Sequence, residues 1–133
     1  MASGNRADRQ TVTVTGLLLQ LTGDSQQLTE HETKDFKTYE LAKQFHKDCQ
    51  KLKLRAPYKD QFDRALLSIV LNLVEGSAKP TRKDRRKFYA IAMGSLRETQ
   101  AILDLCNLRE SLQQSDAVAA CLYRLIQNPG GSP

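Results

Sequence analysis

Two rhythms divide the chain. From Phe36 onward apolar residues recur every three or four positions, whereas the residues before it do not keep that period. Phe36, Leu41, Phe45, Cys49 and Leu52 form one stripe, with Lys43, Lys47, Asp48 and Lys51 mostly off it, and predict a first helix near residues 38–53. KLRAPY breaks the pattern as a turn, and its Pro57 suits the first turn of a following helix. Phe62, Ala65, Leu66, Ile69, Val70, Leu73 and Val74 then carry the helical spacing over residues 58–78, a rod of about 30 Å at 1.5 Å per residue. Lys79 and Pro80 end it. Thr81 is the expected N-cap of a third helix, with Asp84 where a capping box usually has Glu. That helix is expected over 82–106, with Phe88, Ile91, Ala92, Ser95, Leu96, Thr99, Ile102, Leu103 and Cys106 inward and Asn107 or a nearby residue closing it. A fourth is clearest over Asp116 to Gln127, where Val118, Ala119, Leu122, Leu125 and Ile126 keep the period, and NPGGSP ends the chain as coil. Four amphipathic helices on short loops predict an all-α fold, an antiparallel up-and-down four-helix bundle over 36–128 with coil at 129–133.

The first 35 residues read as an amino-terminal arm. TVTVT alternates like a strand, Gly16, Gly23 and Asp24 interrupt it, and DSQQLTEHETKD is polar. A lone short strand cannot stabilise itself, so the arm is either flexible or spans to a neighbouring subunit, with TVTVT and LLLQL ordered there.

Composition narrows the class. A chain of 133 residues with 40% hydrophobic content and no Trp suits a single domain with an aliphatic core. Cys49, Cys106 and Cys121 are odd in number, sit within helical patterns and show no CxxC or Cys/His ligand spacing, which predicts reduced core thiols and a cytoplasmic protein. No apolar run approaches the ~20 residues of a membrane span. TVTVTGLLLQL lacks the long apolar run and small-residue cleavage site of a signal peptide, so export is not expected.

Charge is concentrated in one place. The formal net charge is +5, and Lys79 to Lys87 holds six bases and one acid. A helix amino terminus already carries the positive end of the macrodipole, so this arrangement costs stability unless an anion, a neighbouring subunit or solvent offsets it. Lys79, Arg82, Lys83, Arg85, Arg86 and Lys87 are therefore the candidate nucleic-acid-binding residues, acting through phosphate. Phe88 and Tyr89 adjoin them as stacking groups, although helical phase points Phe88 inward. The alternative is that these charges are solvated or meet acids such as Asp104 or Glu110 of another subunit, in a protein-interaction scaffold without nucleic acid.

Polar residues interrupt the apolar faces of the second and third helices. Asn72 and Glu75 share a face and precede Gly76; Gly94 and Ser95 precede Glu98. The expected arrangement is an interhelical hydrogen-bond network of Asn72, Glu75, Ser95 and Glu98, with Arg64 or Arg97 as further partners, because a buried carboxylate needs partners to stay charged. Gly76 and Gly94 suggest close helix approach or a groove. An acid/base pair or a metal site is the sharper reading. His31 and His46 lie far outside the pattern, and no nucleophile, oxyanion device or phosphate loop accompanies the two carboxylates. Neither an enzyme nor a metal or other cofactor is expected.

The series SIVLNLVEGSAKPTRKDRRKFYAIAMGSLRETQAIL resembles the signature of the bacterial four-helix-bundle proteins of the 23S rRNA intervening-sequence protein family. Its hallmark is an Asn-x-x-Glu-Gly helix end, a basic connection, then Phe, Ala, Gly-Ser and Glu; here Asn72, Glu75, Gly76, Phe88, Ala92, Gly94, Ser95 and Glu98. DFKTYELAKQFHKDCQKL is similar to the family's first helix, and the resemblance covers Asp35 to Leu105. It implies a cytosolic four-helix bundle assembled into a ring-like homo-oligomer, a pentamer, without enzymatic activity. Some members are encoded within insertions in large-subunit rRNA genes, which implies association with RNA. A related fold serves reverse transcriptases as an accessory subunit, so a larger protein partner is a further expectation.

Overall fold

A computed structural model describes residues 30–133; the expected TVTVT and LLLQL arm segments lie outside the described residues. Four helices follow one another: α1 (Glu30–Gln50), α2 (Tyr58–Ser77), α3 (Arg82–Leu105) and α4 (Arg109–Gln127). Among the described residues the one β-type feature is an isolated parallel bridge between Thr81 and Ser132. Consecutive helices pack together and α1 also packs on α4, so the helices surround a shared core, with the α2–α3 contact the most extensive. None of the described helices is long and apolar enough to cross a membrane.

α1 starts at Glu30 rather than near residue 38. The segment EHETKDFK contains no Gly or Pro to stop a helix. Two polar residues of this stretch are accommodated inside: Thr38 is buried and its Oγ1 donates to the Lys34 carbonyl at 2.8 Å, and Asp35 is buried as well. Residues 30–35, expected in the arm, are thus part of the first helix. α4 likewise starts at Arg109, ahead of the clearest periodicity. Asn107 makes the intervening turn in the left-handed region, φ 57°, which Asn tolerates better than most residues, and Leu108 N–H closes it on the Leu103 carbonyl at 2.9 Å.

The third helix is capped as expected. Thr81 is extended and its Oγ1 accepts the Asp84 N–H at 3.2 Å, satisfying one of the first-turn donors. Its rotation differs from the expectation: Tyr89 is fully buried, whereas Ile91 is 43% exposed. The reason lies on α2. A Cβ built on Gly76 would stand 2.7 Å from Tyr89 Cε1, so the missing side chain is what admits the phenol ring between the helices. Tyr89 then joins Phe45, Phe62, Ile69, Leu96 and Leu122 in the core. Burial first, then the nearby Asp35 carboxylate, push the phenol well above its ordinary pKa, and Arg85 opposes them.

The terminal NPGGSP is non-helical, as expected, but it is held in place. Pro129 is buried, Ser132 N–H donates to the Pro80 carbonyl and Arg82 N–H donates to the Ser132 carbonyl, both at 2.9 Å. Gly131 has φ +86°, and a Cβ there would meet Pro80 O at 2.8 Å, so only glycine brings the tail so close to the α2–α3 turn.

Candidate nucleic-acid interface

The basic segment occupies the α2–α3 turn and the first turns of α3. Residues four apart share a helical face, so Arg82 with Arg86, and Lys83 with Lys87, form two adjacent rows while Arg85 falls on a third side. That third side faces inward. Arg85 Nε donates to the Lys79 carbonyl at 2.6 Å, Nη1 donates to the Pro129 carbonyl at 3.5 Å, and the same nitrogen lies 3.9 Å from Asp35 Oδ2. With a side chain only 16% exposed, Arg85 is engaged inside the protein and does not present its guanidinium to solvent as the charge run alone suggested.

The remaining five bases differ in their commitments. Lys79 Nζ lies 3.4 Å from Glu75 Oε1 and 5.1 Å from the centroid of the Phe88 ring. Lys87 approaches the same ring at 5.9 Å. Arg86 Nε donates to the Ile126 carbonyl at 3.0 Å, which seats this exposed residue over the carboxyl-terminal end of α4 and its unsatisfied carbonyls. Arg82, Lys83 and Lys87 are exposed, and no acid among the described residues pairs with them. Asp84 in the first turn and the Thr81 cap offset part of the unfavourable dipole. Of the two aromatic neighbours, Tyr89 is buried and Phe88 is half-buried with both lysines over its ring.

The polar seam between α2 and α3 also differs from the expectation. Ser68, a residue the sequence reading passed over, is its hub: Asn72 Nδ2 donates to the Ser68 carbonyl and Oγ at 2.8 and 3.0 Å, and Ser95 Oγ donates to Ser68 Oγ at 2.7 Å. Thr99 Oγ1 continues the seam to the Ser95 carbonyl. Glu75 and Glu98 are not in this network. Both are exposed; Glu75 pairs with Lys79 and Glu98 accepts from Gln61 Nε2, near opposite ends of α2. Each carboxylate avoids the desolvation penalty by staying at the surface, and the two do not form an acid/base pair. Arg64 is exposed, and Arg97 donates to Gln100 instead. Gly76 has the close approach expected of it, but Gly94 has no atom within 4 Å of a built Cβ and faces open space.

Beside Gly94 lies a surface that periodicity did not reveal. Leu67, Leu71 and Ile91 are 48%, 56% and 43% exposed on the outward side of α2 and α3. Leu67 and Leu71 are one turn apart and off the core stripe, a spacing that could have signalled a second apolar face.

Other titratable groups serve the fold. Gln114 and Gln44 donate to the Asp48 carboxylate and hold its pKa below the usual carboxylate range; desolvation opposes them and the Lys51 charge adds to them. Burial lowers the His46 pKa, partly opposed by the charge of Asp63. Cys49 is buried and its thiol is pushed up to about 12, chiefly by desolvation and then by Asp48, as for an inert core residue. Among the described residues no group of three His, Cys, Asp or Glu side chains is placed to hold a metal ion.

The family model for the 23S rRNA-intervening sequence protein matches residues 34–125. No curated protein and no solved structure matches the chain. The match runs from the second turn of α1 to the last turn of α4, taking in the Ser68–Ser95 seam, the Gly76 contact and the basic turn, and the chain belongs to the 23S rRNA-intervening sequence protein family.

Proposed function

We propose that this protein is a non-catalytic cytoplasmic scaffold that holds nucleic acid, RNA in preference to DNA, through phosphate contacts. Its four helices act as an antiparallel up-and-down bundle, and copies of it assemble into a homo-oligomer, a pentamer on the family resemblance. The observation that carries the reading is the exposure of Arg82, Lys83 and Lys87, without acidic partners among the described residues, at the amino-terminal end of α3, where the helix dipole adds to their field. An oligomer repeats that patch and multiplies its attraction for a polyanion. The burial of Tyr89 and the two lysines over the half-buried Phe88 ring favour recognition of backbone over stacking with bases. The family's name favours RNA.

The exposed Leu67, Leu71 and Ile91 beside the open Gly94 support self-association, since an apolar surface next to a side-chain-free helix position accepts another helix closely. The same face favours a second reading, a scaffold for a larger protein partner without nucleic acid.

Binding of a structured RNA and a matched duplex DNA by wild type and Lys83→Glu/Lys87→Glu, with the mass in solution measured alongside, tests the proposal. RNA binding lost in the variant at unchanged mass is the expected result. An intact oligomer that binds neither nucleic acid at low salt overturns the nucleic-acid reading in favour of the protein scaffold.

A further inference from the structure

The basic run is only part of the cationic surface at this end of the protein. α1 and α4 also meet there, and between them lies an open groove of about 220 Å³ lined by Lys34, Lys37, Thr38, Cys121, Arg124 and Leu125. These come from separate parts of the chain and do not appear as a charge cluster in the sequence. Among the described residues its lining has three cationic side chains and no acidic one. Its apolar part is supplied by Leu125, which is buried, and Cys121, which is half-buried with its Sγ accepting from Arg124 Nη2 at 3.3 Å. A cationic rim around a partly apolar floor suits a ligand with an anionic group joined to a less polar body. Its small volume admits a fragment of a chain rather than an enclosed molecule.

Its position links it to the basic turn. Arg86 on α3 reaches the Ile126 carbonyl, and Arg124 lies two residues earlier in the same last turn of α4. Arg82 is one turn before Arg86 on the same face of α3. The exposed cations Arg82, Arg86, Arg124 and Lys37 therefore run from α3 across the end of α4 onto α1. A carboxyl-terminal helix end does not attract anions by itself, because its carbonyls carry the negative end of the dipole. Cations gathered around it from three helices reverse that local sign.

Resting on the RNA reading above, we infer that the α1–α4 groove is a second phosphodiester-binding position, so that a single RNA strand crosses the end of α4 between Arg82/Arg86 and Lys37/Arg124. The phosphate lies against the Lys37 and Arg124 side chains and the adjoining sugar lies over Leu125 and Cys121. An acidic peptide shares the charge but lacks the repeated phosphate-and-sugar unit that uses both the rim and the floor.

Cys121 supplies an internal reporter, and Cys106, at the other end of the protein, supplies its control. The test measures alkylation of both thiols by mass spectrometry in full-length wild type and Lys37→Gln/Arg124→Gln, with and without an oligoribonucleotide or inorganic tripolyphosphate. RNA affinity is measured in parallel over a salt series. Both anions are expected to slow Cys121 at least several-fold, to leave Cys106 unchanged, and to lose this effect in the variant. Neutralising the pair that holds this one phosphate is expected to reduce the slope of log K against log salt by about 0.7, the contribution of one single-strand phosphate. RNA binding without Cys121 protection or a change of slope overturns the groove while leaving the basic turn as the RNA site. Protection by tripolyphosphate in a protein that binds no RNA supports the groove as a phosphate site and overturns the RNA reading. Absence of both protection and RNA binding overturns both.

Discussion

Arg85 reaches back over the α2–α3 turn to place its Nε 2.6 Å from the Lys79 carbonyl oxygen. The most basic stretch of the chain thus contains a residue that acts as a brace. The same guanidinium meets Pro129 of the tail and Asp35 of α1, joining three segments that are distant in sequence.

Arg85→Ala is accordingly expected to destabilise the fold by about 2–3 kcal/mol, since it removes a charge-assisted hydrogen bond and one side of a largely buried ion pair. Lys83→Ala, at an exposed site, is expected to change stability by less than about 0.5 kcal/mol. Urea unfolding of both variants reads the difference. Equal, small effects would show that the brace does not hold the turn.

The two helix-interior glycines are expected to respond with opposite sign. Gly76→Ala drives a methyl group into the Tyr89 ring and is expected to cost about 1–3 kcal/mol. Gly94→Ala meets no atom and gains helix propensity, up to about 1 kcal/mol. Thermal and urea midpoints distinguish them.

This contrast also marks what the sequence could disclose. The periods of three and four place α2 and α3 within a residue or two of their ends, and Thr81 reads correctly as a cap because capping is local chemistry. The rotation of α3 was not legible, because whether Tyr89 or Ile91 points inward depends on the space left by Gly76 on another helix. For the same reason six neighbouring bases look equivalent until Asp35 and Pro129 arrive beside one of them. Glu75 and Glu98 were expected inward because they lie near apolar stripes, but the actual seam belongs to Ser68, whose hydroxyl carries no obvious pattern signal. Lys37 and Arg124 could not be joined to the basic surface without the α1–α4 packing.

Ser68→Ala is expected to cost about 1 kcal/mol by removing the hydroxyl that Asn72 and Ser95 share, while keeping the helical content measured by circular dichroism. In a double-mutant cycle with Ser95→Ala, coupling is expected to be non-zero; strict additivity would contradict the shared hydrogen bond.

His46 gives the fold a pH dependence of defined sign. Its pKa in the folded protein lies below the ordinary histidine value of 6.5, so the unfolded chain binds the proton more readily. Stability from this group is unaffected while both states are neutral, and it falls as pH drops below the unfolded value toward the folded one. The decrease in Tm from about pH 7.5 to about pH 5.5 is expected to be smaller in His46→Gln than in wild type.

The exposed apolar face makes a separate claim on assembly. Leu71→Asp/Ile91→Asp is expected to lower the mass in solution while preserving helical content, because both side chains are outside the core. An unchanged mass would place the subunit contact elsewhere.

The salt dependence of RNA affinity tests the central claim most directly. For the wild-type oligomer log K is expected to fall linearly with log salt, with a slope of at least about 2 from three or more single-strand phosphate contacts at about 0.7 each, and to flatten in Lys83→Glu/Lys87→Glu. Affinity that is independent of salt, or unchanged by reversing those two charges, would contradict phosphate recognition at the α2–α3 turn.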